Sequence, residues 1–137
     1  GDQFLQTDVF GNIYFREEGT FIAGGAGLTP LIAILRNRHK HGDHNENNKL
    51  IFANKSKEDI ILKEELEQML GSNFINILSD EETEQYAHGH IDQNFLKNHI
   101  FNLKQKFYVC GPEPMIDSVV KDLKGIGVDE KNIIVEE

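Results

Sequence analysis

A chain of 137 residues with 39% hydrophobic content can bury one sizeable core and is too short for two full domains. Its 14 basic and 23 acidic residues leave a net charge of −9, which argues against nucleic-acid or anionic-membrane partners, so an anionic ligand needs local donors. The single cysteine, Cys110, excludes an internal disulfide or a cysteine-based zinc site, and no run reaches the roughly 18 to 20 apolar residues of a membrane span.

With no signal-peptide layout at its start, the chain reads as a soluble cytoplasmic domain. Phe4 to Thr7 and Ile13 to Phe15 look like two strands meeting at a Gly11-Asn12 turn. A hairpin alone is marginal in water, so residues 1–19 either pack on the rest of the chain or end a neighbouring antiparallel domain. From residue 20 the pattern changes. Thr20 to Ala23 is a short apolar run that breaks into Gly24-Gly25-Ala26-Gly27 and then Leu28-Thr29-Pro30. This order predicts a strand, a tight turn and a helix start, with Thr29 as cap and Pro30 at the first helical position. Glycines let the backbone turn through positive φ and let a ligand approach closely. The free N–H groups and the dipole of that first helical turn suit a pyrophosphate.

Leu28, Leu31, Ile32 and Leu35 give the helix one apolar stripe. The polar run His39 to Glu46 after it reads as an exposed loop rather than a metal site, and no metal is expected. Leu50 to Asn54 is a second strand, succeeded by Lys55-Ser56-Lys57 and a helix with Leu62, Leu66, Met69 and Leu70 on one face. Phe74 to Ser79 is a third strand. The acidic group Asp80, Glu81, Glu82 and Glu84 after it reads as a solvated loop, with a lid or docking surface as the alternative. Ile91 to Ile100 is a short helix candidate and Lys106 to Cys110 a fourth strand. Met115, Val119 and Leu123 mark a helix ending near Gly125 and Gly127, and Asn132 to Glu136 is a fifth strand.

Apolar strands without polar alternation are buried on both faces, and their alternation with helices predicts a three-layer αβα fold around a parallel sheet. The strand order expected is 3-2-1-4-5, with residues 20–137 as the domain. Ligands of such sheets bind beyond the strand C-termini at the switch in strand order, so the glycine turn and Cys110-Gly111-Pro112 should face one crevice. Gly111 and Pro112 favour an exposed strand-end position for Cys110. No histidine is paired with that thiol in the local sequence, which argues against a thiolate enzyme.

The ordered motifs Gly-Gly-x-Gly-x-Thr-Pro at 24–30, the strand and following helix from Leu50 to Leu66, Gly-His-Ile-Asp at 89–92 and Cys-Gly-Pro-x-Pro-Met at 110–115 resemble the NAD(P)H-binding half of the ferredoxin reductase family. That family includes cytochrome b5 reductases, oxygenase reductase components and flavodoxin reductases. Gly1-Asp2, Phe10-Gly11 and Phe15 likewise resemble the last hairpin of its flavin-binding barrel, which makes residues 1–19 the tail of that barrel. The resemblance implies an enzyme that passes hydride from NAD(P)H to FAD and electrons on to ferredoxin, flavodoxin, haem or an oxygenase component. It implies that Gly24, Gly25, Gly27, Thr29 and Pro30 hold the pyrophosphate and place the nicotinamide. Cys110, in the catalytic position, would lie with Gly111 and Pro112 against the nicotinamide ring, while Ser79 would touch the cofactor less directly. Asn54 and Lys55 end the second strand, where the choice between NADH and NADPH is made; Lys55, Ser56 and Lys57 could meet a phosphate, while Phe-Ala-Asn with Asp-Ile-x-Leu resembles the NADH-using b5 reductases. The reading leans to NADH. The family's Arg-x-Tyr-Ser/Thr flavin motif does not occur, so these 137 residues alone are not expected to hold FAD or transfer electrons. A stand-alone nucleotide-sensing module without turnover is the alternative.

Overall fold

A computed structural model describes residues 19–40 and 48–136; the predicted hairpin before residue 19 and the polar loop at 41–47 lie outside the described residues. The main elements in chain order are β1 (Gly19–Gly24), α1 (Leu28–Lys40), β2 (Lys49–Asn54), α2 (Lys63–Leu70), β3 (Phe74–Leu78), β4 (Ala87–His88), α3 (Gln93–His99), β5 (Lys106–Cys110), α4 (Glu113–Gly125) and β6 (Ile133–Glu136). The strands form one parallel sheet in the order β4-β3-β2-β1-β5-β6.

The order expected from the sequence is recovered, with one strand added at the edge. β4 pairs Ala87 with Ile77 and His88 with Leu78, and Gly89 N continues the ladder to Leu78 O at 2.8 Å. Two residues behind an acidic segment make no hydrophobic run, so the count of five strands is corrected to six. A second correction concerns α1. Gly25 to Gly27 wind a single 3₁₀ turn that feeds straight into a helix starting at Leu28, so Thr29 and Pro30 are its second and third residues rather than cap and first position. Pro30 is tolerated there because the N–H groups of a first turn have no intrahelical partner.

Side-chain alternation divides the core into two layers. Phe21, Ala23, Leu50, Phe52, Leu78, Tyr108, Cys110 and Ile134 face α1 and α2, packing with Leu28, Leu31, Leu35, Leu66 and Leu70. Ile22, Ile51, Ile77, Phe107, Val109 and Ile133 face α3 and α4, packing with Leu96, Ile116, Val119 and Leu123. Both faces are sealed, as the uninterrupted apolar strands required. Phe21 and Tyr108 stack across neighbouring β1 and β5 with centroids 4.7 Å apart. Each such fully buried apolar side chain contributes on the order of 2 kcal/mol. On the surface, Arg36 of α1 forks onto Glu65 of α2 at 2.6 and 2.7 Å, and the carboxylate holds the guanidinium above its ordinary pKa. No described helix is long and apolar enough to cross a membrane.

Candidate functional site

The chain leaves β1 toward β2 on one side and returns to β5 on the other, so the loops after β1 and β5 part at the switch in strand order. A cleft of about 900 Å³ opens at this C-terminal edge. It is reached by Gly24 and Gly25 at the end of β1, Ala53, Asn54 and Lys55 at the end of β2, Ser79 after β3, Gly89 to Ile91 after β4, and Pro112, Pro114 and Met115 after β5. Ile61 and, on α4, Val119 add to an apolar lining interrupted by a few polar groups. That mixture, in a volume near the upper end of ordinary ligand sites, suits an extended amphipathic ligand.

The glycine turn is closely packed against the end of β5. Gly25 has φ +52°, a left-handed conformation that glycine adopts without a Cβ penalty. Gly27 sits against the end of β5: a Cβ there would overlap the Cys110 carbonyl and stand 2.6 Å from the Gly111 nitrogen. The two motifs therefore meet through backbone, as the shared-crevice expectation required. Neither the 3₁₀ turn nor the first turn of α1 carries an acidic side chain of its own that would offset the positive end of the helix dipole.

The turn after β2 is built differently. Ser79 N donates to Asn54 O at 3.0 Å and Asp80 N to Lys55 O at 2.9 Å, zipping the loops after β2 and β3 together. Ser56 donates from its N–H and its hydroxyl to one oxygen of Asp59, at 3.2 and 3.3 Å, and Lys57 N donates to Glu81 Oε1 at 2.8 Å. Asp59 and Lys55 both line the cleft. Asn54 places its side-chain nitrogen, Nδ2, in a buried position with no hydrogen-bond partner among the described residues. A buried amide donor left open beside a cleft is satisfied when a ligand supplies the acceptor.

Of the residues expected at the site, Gly24, Gly25, Asn54, Lys55, Ser79 and Pro112 line the cleft. Gly27, Gly111 and Pro30 do not line it, and Thr29 is exposed on the first turn of α1. Cys110 departs from expectation: it is fully buried rather than exposed. The strict alternation along β5 turns it to the same face as Tyr108, into the α1–α2 layer, and leaves its backbone to meet Gly27. Sequence reasoning assigned Met115 to the α4 stripe, but Met115 is half-buried and lies over the glycines, its sulfur where a Cβ of Gly24 would be and 2.9 Å from one on Gly111. Asp59, Ile61, His90, Ser118 and Val119 were also missed as lining residues. The Gly-His-Ile-Asp motif at 89–92 was the available signal for His90.

The family model described as oxidoreductase NAD-binding domain matches residues 21–121. The chain belongs to that family. Among curated proteins, this NAD-binding domain is 29% identical, over 151 aligned positions, to the F component of the Na⁺-translocating NADH-quinone reductase of Haemophilus influenzae. All of the chain aligns, but it spans 37% of the length of that relative. Among solved structures, it superposes on the flavohaem-like FAD/NAD-binding domain of nitric oxide dioxygenase from Vibrio cholerae with a TM-score of 0.78 and 25% identity, covering 90% of this chain and 52% of that one. The cytochrome b5 reductase domain of Ulva prolifera nitrate reductase gives a TM-score of 0.73 at 26% identity, covering 86% and 48%. The resemblance drawn from the four motifs, and the fold it implied, are thus borne out.

Proposed function

We propose that this domain binds NADH along the cleft and presents it to a flavin carried by an adjoining domain, as one half of a flavin-dependent reductase. The observation that carries this reading is the glycine turn, with no acidic side chain in the first turn of its helix, joined through the Cys110–Gly111 backbone to the far side of one cleft. The left-handed turn at Gly25, with open space at its Cβ position on the cleft, and the unpartnered Asn54 Nδ2 both fit a dinucleotide. The amides around Gly25 to Leu28 receive the pyrophosphate. Gly111 and Pro112, with the Cys110 carbonyl behind them, border the nicotinamide. Asn54 and Ser79 offer polar contacts toward the adenosine end. When bound, NADH supplies a hydride, becoming NAD⁺ as a flavin takes up the electron pair. The chain's own residues contribute position: they hold the donor ring at one end of a fixed cleft and Met115 closes the space above Gly24 and Gly111.

Preference for NADH comes from the second turn. Asp59, on the cleft wall and hydrogen-bonded to Ser56, places a carboxylate where a 2′-phosphate would be repelled and a ribose hydroxyl accepted. In this reading residues 1–19 complete a flavin-binding barrel, the acceptor beyond the flavin is a protein or small molecule, and the assembly works where cytoplasmic NADH is available. The similarity to a component of an NADH-quinone reductase and to a cytochrome b5 reductase domain supports the same division of labour. Titrating the chain with NADH and NADPH tests it: saturable NADH binding at least tenfold tighter than NADPH is expected, a difference of about 1.4 kcal/mol. Absence of saturable binding by either would remove the proposal. A nucleotide sensor without turnover is separated by joining the domain to its flavin partner, where NADH should bleach the flavin absorbance.

A further inference from the structure

The chain carries three sulfur atoms, those of Met69, Cys110 and Met115. Their surroundings differ. Met69 on α2 and Cys110 on β5 are buried in the layer between the sheet and helices α1 and α2, the thiol completely. Met115, in the first turn of α4, is half-buried and lines the cleft beyond the strand ends. A small solute in the cleft therefore meets one sulfur and is kept from the other two by close packing.

The Met115 thioether also has a close and particular seat. Its sulfur stands where a Cβ of Gly24 would be and 2.9 Å from the Cβ position of Gly111, so it fills side-chain space that both glycines leave free. Those glycines end β1 and follow β5, the two strands whose loops part at the switch in strand order. A soft, apolar sulfur suits a dry contact with two stretches of backbone. An added oxygen does not. Turned toward the glycines it has no room; turned away it enters the cleft, putting a strong acceptor and extra volume where the lining is mostly apolar. Either orientation alters the cleft where the two turns meet.

We propose that Met115 is an oxidative modification site: hydrogen peroxide entering the cleft converts its thioether to the sulfoxide ahead of Met69 and Cys110, and the sulfoxide weakens nucleotide binding. In this step a sulfur lone pair attacks one peroxide oxygen, the S–O bond forms as the O–O bond breaks, and the released hydroxide takes the proton of the transferred oxygen and leaves as water. The sulfur gives up an electron pair and the peroxide accepts it. Selectivity among the three sulfurs follows from their burial, while the loss of binding rests on the dinucleotide reading given above. Methionine sulfoxide reductases return the sulfoxide to the thioether, so the change is reversible.

The test treats the full chain with hydrogen peroxide, follows each sulfur by peptide mass spectrometry and measures the NADH dissociation constant before and after, with thermal melting as the check on folding. Met115 should be oxidised at least about fivefold faster than Met69 or Cys110, and the chain oxidised at Met115 alone should bind NADH about fivefold or more weakly with its melting transition retained. Methionine sulfoxide reductase should restore the affinity. Met115→Leu treated in the same way should keep the affinity it had before treatment, whereas Met69→Leu should lose affinity as wild type does. Oxidation of Met69 or Cys110 as fast as that of Met115 overturns the proposal, and so does a Met115→Leu chain that loses affinity on treatment. If Met115→Leu fails to fold, restoration by the reductase decides alone. Selective oxidation of Met115 that leaves NADH affinity within about twofold of the untreated chain sinks this inference and spares the dinucleotide reading, whereas an untreated wild type that binds neither NADH nor NADPH sinks both.

Discussion

The turns after β1 and β2 leave the same edge of the same sheet and handle their backbone donors in opposite ways. The first is all but bare: three glycines, a 3₁₀ turn running into α1, and no acidic residue in the first turn of the helix. The second closes on itself, with Asp59 and Glu81 accepting from Ser56 and Lys57. Strand-to-helix turns are generic anion sites, and what decides whether one is used is whether the chain's own carboxylates already fill it. In the function proposed above, the pyrophosphate of a dinucleotide laid across both turns sits at the first.

Substitutions at the two turns should break this contrast in different ways. The largest effect is expected at Gly27, where alanine forces a Cβ into the Cys110–Gly111 peptide. Gly27→Ala should lower stability by about 2 to 3 kcal/mol in denaturant unfolding and weaken NADH binding more than tenfold, because both loops must shift. Next comes Asp59→Asn, which keeps an acceptor for Ser56 and removes the charge. Its NADPH affinity should rise about tenfold with NADH affinity little changed, as read by competitive titration. Gly25→Ala should lose about 1 kcal/mol from its φ of +52° alone, since open space surrounds its Cβ position. If Gly25→Ala proved as damaging as Gly27→Ala, close packing against β5 would not be what makes the first turn special. The smallest effect is expected for Met115→Leu, a near-isosteric change over Gly24 and Gly111, with less than about 1.5 kcal/mol in stability and an NADH affinity within a fewfold of wild type.

The contrast between the turns also marks how far the sequence could be read. The long apolar strands and the helical-period stripes of α1, α2 and α4 carry strong periodic signals, so five strands, their order and the four helices were legible. β4 was not, because Ala87 and His88 gain strand character only from pairing with Ile77 and Leu78. The glycine turn announced itself through residues that have few other uses. Cys110 misled because its neighbours suggested an open strand end, while the decisive fact was parity along β5, which sends it to the face of Tyr108. Asp59 and Glu81 stand 22 positions apart in the chain and converge only after β2 and β3 pair in register, so no local pattern could mark them as a pair. Met115 likewise fits the spacing of an ordinary core residue until the fold lays it over Gly24.

Amide chemical-shift mapping of the full chain during titration with NADH tests the central claim most directly. The account predicts saturable shifts concentrated at Gly25, Gly27, Leu28, Asn54, Ser79 and Gly111, all at one edge of the sheet. Saturable shifts that leave the Gly25 to Leu28 amides unmoved, or that cluster at the opposite edge around Lys49 and Lys106, would contradict it.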